Sequence, residues 1–467
     1  MTTAAELQFR IRDDLERLAR QEGVPGASVA FVSGSDAVDA TYGVLDMGTR
    51  IPVEAGSLFQ IQSITKVFTA TLVMQLVDDG LVELAEPVQT YLPEFHTADA
   101  TASEEMTLHH LLTHSGGFEG DLWEPTTSGP DALDRFVRDL VSQATQYSPP
   151  GLRFSYCSAG YAVLGRLVEI LRGMTYEEAL RQFLLRPLGI EAVAFSTSQA
   201  ASYGVAMGHV RPGASSALRP SCEWALMPPS NPAAGNQLAM SANGLLTLGQ
   251  LFLSEGVTPT GQRLLSKASA MRMLKPYLPH RNAVRGLSHQ GFGWRLPRPG
   301  IAEHGGGAPG VSGVLTIAPA HGIAAVVLTN SDGGGRLARQ LFEPLFADLA
   351  GIAPTPVSST PGPQSLVSNV APYLGQSSNR QSEFLVEDDA GGRLWLTEEA
   401  VNEGAAMERL AGAVPTSSRN EIRPVDATAF SVIGDDGRGT GVVTFLEPQP
   451  SGHFRLIAKE RVAAFQS

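Results

Sequence analysis

An apolar run between residues 67 and 77 leaves no polar face, which is typical of a helix that is buried on all sides. Gly80 follows the run and predicts the end of this helix. Ser63 then lies at the helix N-terminus, and Lys66 lies one turn later on the same face. Desolvation and the helix dipole both disfavour a charged lysine there, so the two residues suit a nucleophile and its base. S-x-x-K also occurs by chance in first helical turns, so other segments must decide between these interpretations.

Strand patterns occur near both ends of the first 350 residues, with helical patterns between them. Residues 27–32 and 37–43 predict a hairpin after an N-terminal amphipathic helix. Residues 313–318 and 323–329 predict two further strands, followed by a helix from about residue 335 to 349. We therefore expect an α+β fold, in which an antiparallel sheet pairs segments from both ends and is flanked by helices and an all-helical region.

A segment rich in proline and serine, residues 354–365, has the composition of a linker. It separates a predicted first domain, residues 1–353, from a second domain, residues 366–467. The second domain contains short alternating segments separated by turns rich in aspartate and glycine. This pattern predicts a small antiparallel β-barrel of lipocalin-like type.

Composition and charge limit the possible partners and the compartment. Hydrophobic residues make up 43% of the chain, an ordinary fraction for a globular protein. The formal net charge is -13 and there is no basic tract, which disfavours nucleic acid and anionic membranes as partners. The N-terminus shows no signal-peptide pattern, and no apolar run is long enough for a membrane span. We therefore expect a cytoplasmic protein.

Two patterns suggest a bound metal or cofactor, but their surroundings argue against both. Three histidines lie between residues 109 and 114 without an acidic partner, which disfavours a metal site. The glycines of residues 305–310 satisfy G-x-G-x-x-G, but Pro309 interrupts them and a strand pattern follows. Residues 304–307 instead predict a turn. We therefore expect neither a metal nor a cofactor.

Three short motifs carry the candidate chemistry, namely Ser63-x-x-Lys66, Tyr156-Cys157-Ser158 and His304-Gly305-Gly306. In this order and at these separations they resemble the penicillin-binding-protein-like serine hydrolases. That family includes class C β-lactamases, DD-peptidases, D-aminopeptidases, family VIII esterases and peptide-cyclising thioesterases. The resemblance covers about residues 10–350.

The resemblance implies a role for each motif residue. Ser63 would form an acyl-enzyme, Lys66 would help to deprotonate it, and Tyr156 would pass the proton to the leaving group. A tyrosine with its ordinary pKa of about 10 is a poor base, so Tyr156 and Lys66 must lie close together. The backbone N–H groups of Ser63 and Gly307 would form the oxyanion hole.

Two positions depart from the family pattern. The second motif usually ends in asparagine, where this chain has Ser158. The third motif is K-T-G in enzymes that bind β-lactam carboxylates, and here it is His304-Gly305-Gly306. Because a histidine is mostly neutral at pH 7, a fixed positive charge is missing and β-lactams are poor natural substrates. We assign His304 to the catalytic set, and Ser158, Gly305 and Gly306 to the substrate-binding wall.

The absence of a signal peptide and the extra C-terminal domain favour one branch of the family. We expect a penicillin-binding-protein-type thioesterase, in which Ser63 takes a peptidyl group from a carrier-protein thioester of a nonribosomal peptide synthetase. An amine of the same peptide would then release a macrocycle. The alternatives are a cytosolic D-aminopeptidase or esterase and, further away, a β-lactamase or a non-catalytic acyl sensor. Arg455 or Arg461, on the last strand pair, is the candidate peptide contact of the second domain.

Overall fold

The computed structural model describes residues 3–213, 216–221, 224, 230–282, 286–354, 367, 369–389, 391–434 and 439–466. Eight antiparallel strands form the main sheet: β1 (Gly26–Ser33), β2 (Asp36–Gly43), β3 (Leu278–Asn282), β4 (Gly286–Gln290), β5 (Arg295–Arg298), β6 (Ile301–Ala308), β7 (Val311–Ala318) and β8 (Ile323–Thr329). Their order is β2-β1-β8-β7-β6-β5-β4-β3. Ala27 of β1 lies opposite Thr329 of β8, which confirms that the two ends of this region pair.

The longer helices are α1 (Ala4–Glu22), α2 (Thr65–Asp78), α3 (Ser158–Arg172), α4 (Ala242–Leu253), α5 (Gly334–Ala350) and α6 (Asn402–Leu410). Shorter helices span Val88–Tyr91, Ala100–Glu105, Leu108–Leu112, Ala132–Arg135, Tyr176–Leu180, Thr197–Ala200 and Lys267–Met273. Short strands outside the main sheet span Phe59–Gln60, Val193–Ala194, His209–Val210, Arg219–Pro220 and Ala239–Met240.

Helices α1 and α5 cover one face of the main sheet. Helix α1 begins with a capping box between Thr3 and Glu6 and ends at Gly23, whose positive φ of 66° suits a residue without a Cβ. Leu7 and Ile11, one turn apart, are buried against the sheet together with apolar residues of α5. The amphipathic pattern of the N-terminal segment therefore corresponds to one buried helix face.

Helices α2, α3 and α4 belong to the larger core on the other face of the sheet. Every residue of α2 from Thr65 to Leu76 is buried, as the missing polar face of this segment predicts. Gly80, with a φ of 70°, lies just beyond the helix and turns the chain away from it. This larger core surrounds α2 and so fixes the position of the adjoining segment that carries Ser63.

The C-terminal region forms a closed barrel, as the sequence predicts. Its eight strands are β9 (Gly375–Ser378), β10 (Ser382–Asp388), β11 (Leu394–Ala400), β12 (Ser417–Pro424), β13 (Ala429–Ile433), β14 (Gly439–Pro448), β15 (Phe454–Lys459) and β16 (Arg461–Phe465). Helix α6 connects β11 to β12. The predicted linker, residues 354–365, lies outside the described residues except for residue 354.

The prediction of a turn at residues 304–307 is wrong. These residues belong to β6, and each pairs with a residue of β7, from His304 opposite Leu315 to Gly307 opposite Ser312. The chain turns only at Pro309 and Gly310, and Gly310 has a positive φ of 91°. Of these glycines, Gly306 is closely packed, since a Cβ there would overlap the carbonyl oxygen of Ile61.

None of the helices in the described part of the chain combines the length and the apolar character needed to cross a lipid bilayer.

Candidate active site

Ser63 lies in a single 3-10 turn, Gln62–Ile64, that leads directly into α2. Gln62 has a positive φ of 47°, an uncommon backbone conformation for a residue with a side chain. Two glycines pack closely against the backbone of this turn. A Cβ at Gly306 would overlap the carbonyl oxygen of Ile61, and a Cβ at Gly235 would overlap that of Gln62. The position of Ser63 is thus fixed by backbone contacts from two distant segments.

Lys66 is completely buried beneath Ser63. Its Nζ atom donates to the carbonyl oxygen of Ala234 at 2.7 Å and lies 3.3 Å from Oγ of Ser63. Burial lowers the pKa of Lys66, and Tyr156 offsets part of this effect. An amine that loses its proton easily, placed beside a hydroxyl group, can act as the base that activates Ser63.

Tyr156 lies close to three basic side chains. The centre of its ring is 4.8 Å from Nζ of Lys66, 5.4 Å from Cζ of Arg295 and 5.0 Å from Cζ of Arg461. The ring of His114 packs on it with a centroid distance of 4.4 Å. Positive charge on several sides stabilises negative charge that develops on the phenol during proton transfer.

His304 is buried on β6 and is held in a neutral form. Its Nδ1 atom lies 2.7 Å from the carbonyl oxygen of Gly305, the distance of a hydrogen bond in which the ring N–H donates. Burial lowers the pKa of His304 well below its ordinary value, and the charges of Arg295 and Lys66 lower it further. The side chain therefore supplies no fixed positive charge for a substrate carboxylate, as its residue type predicts.

A cavity of about 250 Å³ opens above Ser63. Ser158, the first residue of α3, and Gly307 of β6 share this cavity with Ser63. Tyr156 lies beside Lys66, and its ring centre is 6.5 Å from that of His304, so the three motifs lie close together, although Gly305 and Gly306 are not among the residues that line the cavity. The barrel domain forms another wall of the cavity through Gln381, Gly404, Met407, Glu408 and Arg461.

The two candidate arginines of the barrel have different surroundings. Arg455 is exposed, donates to Glu447 and to the carbonyl oxygen of Tyr147, and does not line the cavity. Arg461 lines the cavity, and its Nη2 atom donates to Oδ1 of the buried Asp121 at 3.0 Å. Although burial disfavours the charged form of Arg461, the carboxylate of Asp121 raises its pKa. Arg461 is therefore a permanent cation in the cavity wall.

Sequence reasoning missed Asp121, His114 and Arg295. His114 belongs to the histidine cluster in which the sequence disfavours a metal site, and its Nδ1 atom accepts from the backbone N–H of Cys157 at 3.0 Å, next to Tyr156. Asp121 and Arg295 stand in no recognisable motif, and only the fold brings them to the site. Burial raises the pKa of Cys157 to about 12, so this thiol is inert at neutral pH. Within the described residues, no group of three histidine, cysteine or acidic side chains is arranged to hold a metal ion.

The fold and the site define a serine hydrolase of the penicillin-binding-protein type. A family model described as beta-lactamase matches residues 11–346. Penicillin-binding protein 4 of Amycolatopsis lactamdurans is 35% identical over 376 residues, which cover 78% of this chain and 96% of that protein. The chain therefore belongs to the beta-lactamase family, whose members are serine hydrolases and acyltransferases.

Two solved structures illustrate the range of similar folds. SurE with D-Leu is 26% identical, with a TM-score of 0.76, and the similarity covers 98% of this chain and 99% of that chain. D-amino acid amidase from Ochrobactrum anthropi SV3 is 22% identical, with a TM-score of 0.61 over 73% of this chain and 99% of that chain. The first similarity extends over both domains.

Proposed function

We propose that this protein is a peptidyl transferase of the penicillin-binding-protein-type thioesterase kind. Ser63 takes a peptidyl group from a carrier-protein thioester of a nonribosomal peptide synthetase, and an amine of the same peptide releases the group as a macrocycle. The observation that carries the proposal is the wall that the barrel adds to the cavity of Ser63, with Arg461 in it. A site for simple hydrolysis does not need this second wall.

The first half of the reaction transfers the acyl group to Ser63. Lys66 takes the proton of the hydroxyl group, Oγ attacks the thioester carbonyl, and the C–S bond breaks. Tyr156 passes the proton to the departing thiolate, so that a free thiol leaves. The backbone N–H groups of Ser63 and Gly307 stabilise the negative carbonyl oxygen in the transition state, an effect worth about 3 kcal/mol for each donor.

The second half repeats these steps with an amine in place of the serine. The amine attacks the ester carbonyl, a C–N bond forms, and the C–O bond to Ser63 breaks. The proton of the amine returns through Tyr156 and Lys66 to Oγ of Ser63. Water competes with the amine for the same ester, so a cyclising site must hold the amine close and keep water out. A cavity enclosed by two domains suits this requirement.

Two observations suggest which kind of peptide the site binds. The similarity to SurE, for which a structure with D-Leu exists, supports a substrate with a D-configured residue next to the reacting carbonyl. We infer that Arg461 donates hydrogen bonds to carbonyl oxygens of the bound peptide, because its guanidinium is permanently charged and lines the cavity. Arg455, on the neighbouring strand β15, lies outside the cavity and serves as a matched comparison.

The test is the turnover of a short peptide that ends in a D-residue and carries an N-acetylcysteamine thioester. We expect the wild-type protein to release a product lighter than the linear acid by one water, and Ser63→Ala to release none. Arg461→Ala is expected to shift the products towards the linear acid, whereas Arg455→Ala is not. Linear acid as the sole product of the wild type would indicate a D-peptidase or esterase instead.

A further inference from the structure

The tip of the last barrel hairpin reaches the segment that carries Tyr156. Glu460 stands alone between β15 and β16 and has a positive φ of 71°, an uncommon conformation for a residue with a side chain. Its carbonyl oxygen accepts from the backbone N–H of Tyr156 at 3.0 Å. Two residues later, the backbone N–H of Val462 donates to Oγ of Ser155 at 3.2 Å. The backbone at Tyr156 is therefore anchored on the barrel.

The side chain of Glu460 reaches Tyr156 indirectly. Its carboxylate forms an ion pair with Arg295, with a distance of 3.2 Å between Oε1 and Nη1. The guanidinium of Arg295 in turn lies 5.4 Å from the ring centre of Tyr156. The charge of Arg295 lowers the pKa of Glu460, so this carboxyl group is ionised at neutral pH. One barrel residue thus fixes both the backbone of Tyr156 and a cation beside its ring.

We propose that Glu460 is a positioning residue for Tyr156, so that the proton-transfer site is completed by the barrel domain. This proposal depends on one part of the proposed function, namely that Tyr156 protonates the leaving group. Without the Glu460 carboxylate, the Arg295 guanidinium loses its anchor and the cation beside the phenol is no longer fixed. Loss of this preorganisation slows proton transfer while substrate binding continues.

Docking of the two domains does not depend on Glu460 alone. Arg153 and Glu447 form another ion pair across the interface, with a distance of 2.7 Å, and neither touches Tyr156. Glu447→Gln therefore removes an interfacial carboxylate without changing the surroundings of the phenol. It is the matched control for Glu460→Gln.

The experiment compares two esters with one acyl group, an alkyl ester whose leaving group needs a proton and an aryl ester whose leaving group does not. We expect Glu460→Gln to lower kcat/KM for the alkyl ester by about 10- to 100-fold and to leave kcat/KM for the aryl ester little changed, because kcat/KM reports acyl transfer to Ser63 and not the breakdown of the shared acyl-enzyme. In a Tyr156→Phe background, Glu460→Gln is expected to have no further effect, because both changes act on the same step. Glu447→Gln is expected to change neither rate, and thermal unfolding checks that each variant is folded.

Three outcomes would overturn the proposal. Glu460→Gln could lower kcat/KM of both esters equally, it could add its full effect to that of Tyr156→Phe, or Glu447→Gln could reproduce it. The last outcome would make domain docking the cause. Failure of the proposed function would give a different result. The thioester would then yield only the linear product, whereas the two simple esters would still report the coupling between Glu460 and Tyr156.

Discussion

Burial determines the chemistry of Lys66 at the scale of single residues. Its ammonium group is shielded from solvent, and its Nζ atom contacts the carbonyl oxygen of Ala234 and the hydroxyl group of Ser63. Burial lowers its pKa from the ordinary value of 10.5. The same effect makes the side chain a useful base and an unfavourable cation in the folded protein.

Replacing Lys66 by methionine separates these two consequences. We expect Lys66→Met to lower ester turnover by at least about 100-fold, because the base is lost. A lowered pKa means that protonation at neutral pH destabilises the folded state, so the variant should unfold at a higher temperature than the wild type at pH 7. This advantage should shrink as the pH rises towards 10.5, where the unfolded chain also loses the proton. A melting temperature below that of the wild type at pH 7 would contradict this account.

Close contact between β6 and the turn of Ser63 shapes the site at the scale of elements. The strand can approach the turn because Gly306 has no side chain in the narrow space beside Ile61. Gly305, its neighbour, points the other way, and a Cβ there would meet its nearest atom, the carbonyl oxygen of Gly313, at 3.8 Å. An added methyl group would therefore clash at Gly306 and would fit at Gly305.

Alanine substitutions at these two glycines test the contact. We expect Gly306→Ala to lower the free energy of unfolding by about 1–3 kcal/mol, because a methyl group would force the strand and the turn apart. Ester turnover should fall as well, since the turn holds Ser63. Gly305→Ala should unfold like the wild type in chemical denaturation. Equal stability of the two variants would show that the strand does not press on the turn.

At the scale of the whole molecule, charged groups between the two domains influence how stability depends on pH. Arg380 of the barrel domain pairs with Glu403 at 2.6 Å and also with Glu124 of the first domain. Glu403 in turn accepts from the backbone N–H of Trp123, a residue of the cavity wall, at 3.1 Å. Burial and the nearby charge of Glu124 raise the pKa of Glu403 to about 8. Two carboxyl groups thus face one arginine beside the active-site cavity.

This arrangement predicts that stability depends on pH. The folded-state pKa of Glu403 lies above its ordinary value of 4.5, so its contribution to stability is complete below that value and is lost as the pH rises to about 8. Glu403→Gln should remove this loss and therefore gain melting temperature over the wild type between pH 6 and pH 9. Glu447→Gln serves as a control with the opposite sign, because the hydrogen bond from Arg455 lowers the pKa of Glu447. Parallel pH profiles of Glu403→Gln and the wild type would contradict the prediction.

The sequence predicts those parts of the molecule that are encoded locally. The amphipathic pattern of α1, the apolar run of α2 and the alternating barrel segments each specify their element within a few residues. Ser63 and Lys66 could be found because they share one helical turn. Arg461 and Asp121 are 340 positions apart, and no local pattern connects them. Glu460 and Arg295 escaped notice for the same reason. The glycines of β6 predicted a turn because glycine is common in turns, whereas Gly306 is needed for close packing against Ile61.

The most direct test of the central claim is intact-mass spectrometry of the protein during turnover of the D-terminated peptidyl thioester. We predict a transient mass increase equal to the peptidyl group, located on Ser63, that decays as the macrocycle appears. Ser63→Ala should show neither the adduct nor the product. Macrocycle formation without an adduct on the wild type, or with an equal adduct on Ser63→Ala, would contradict the account.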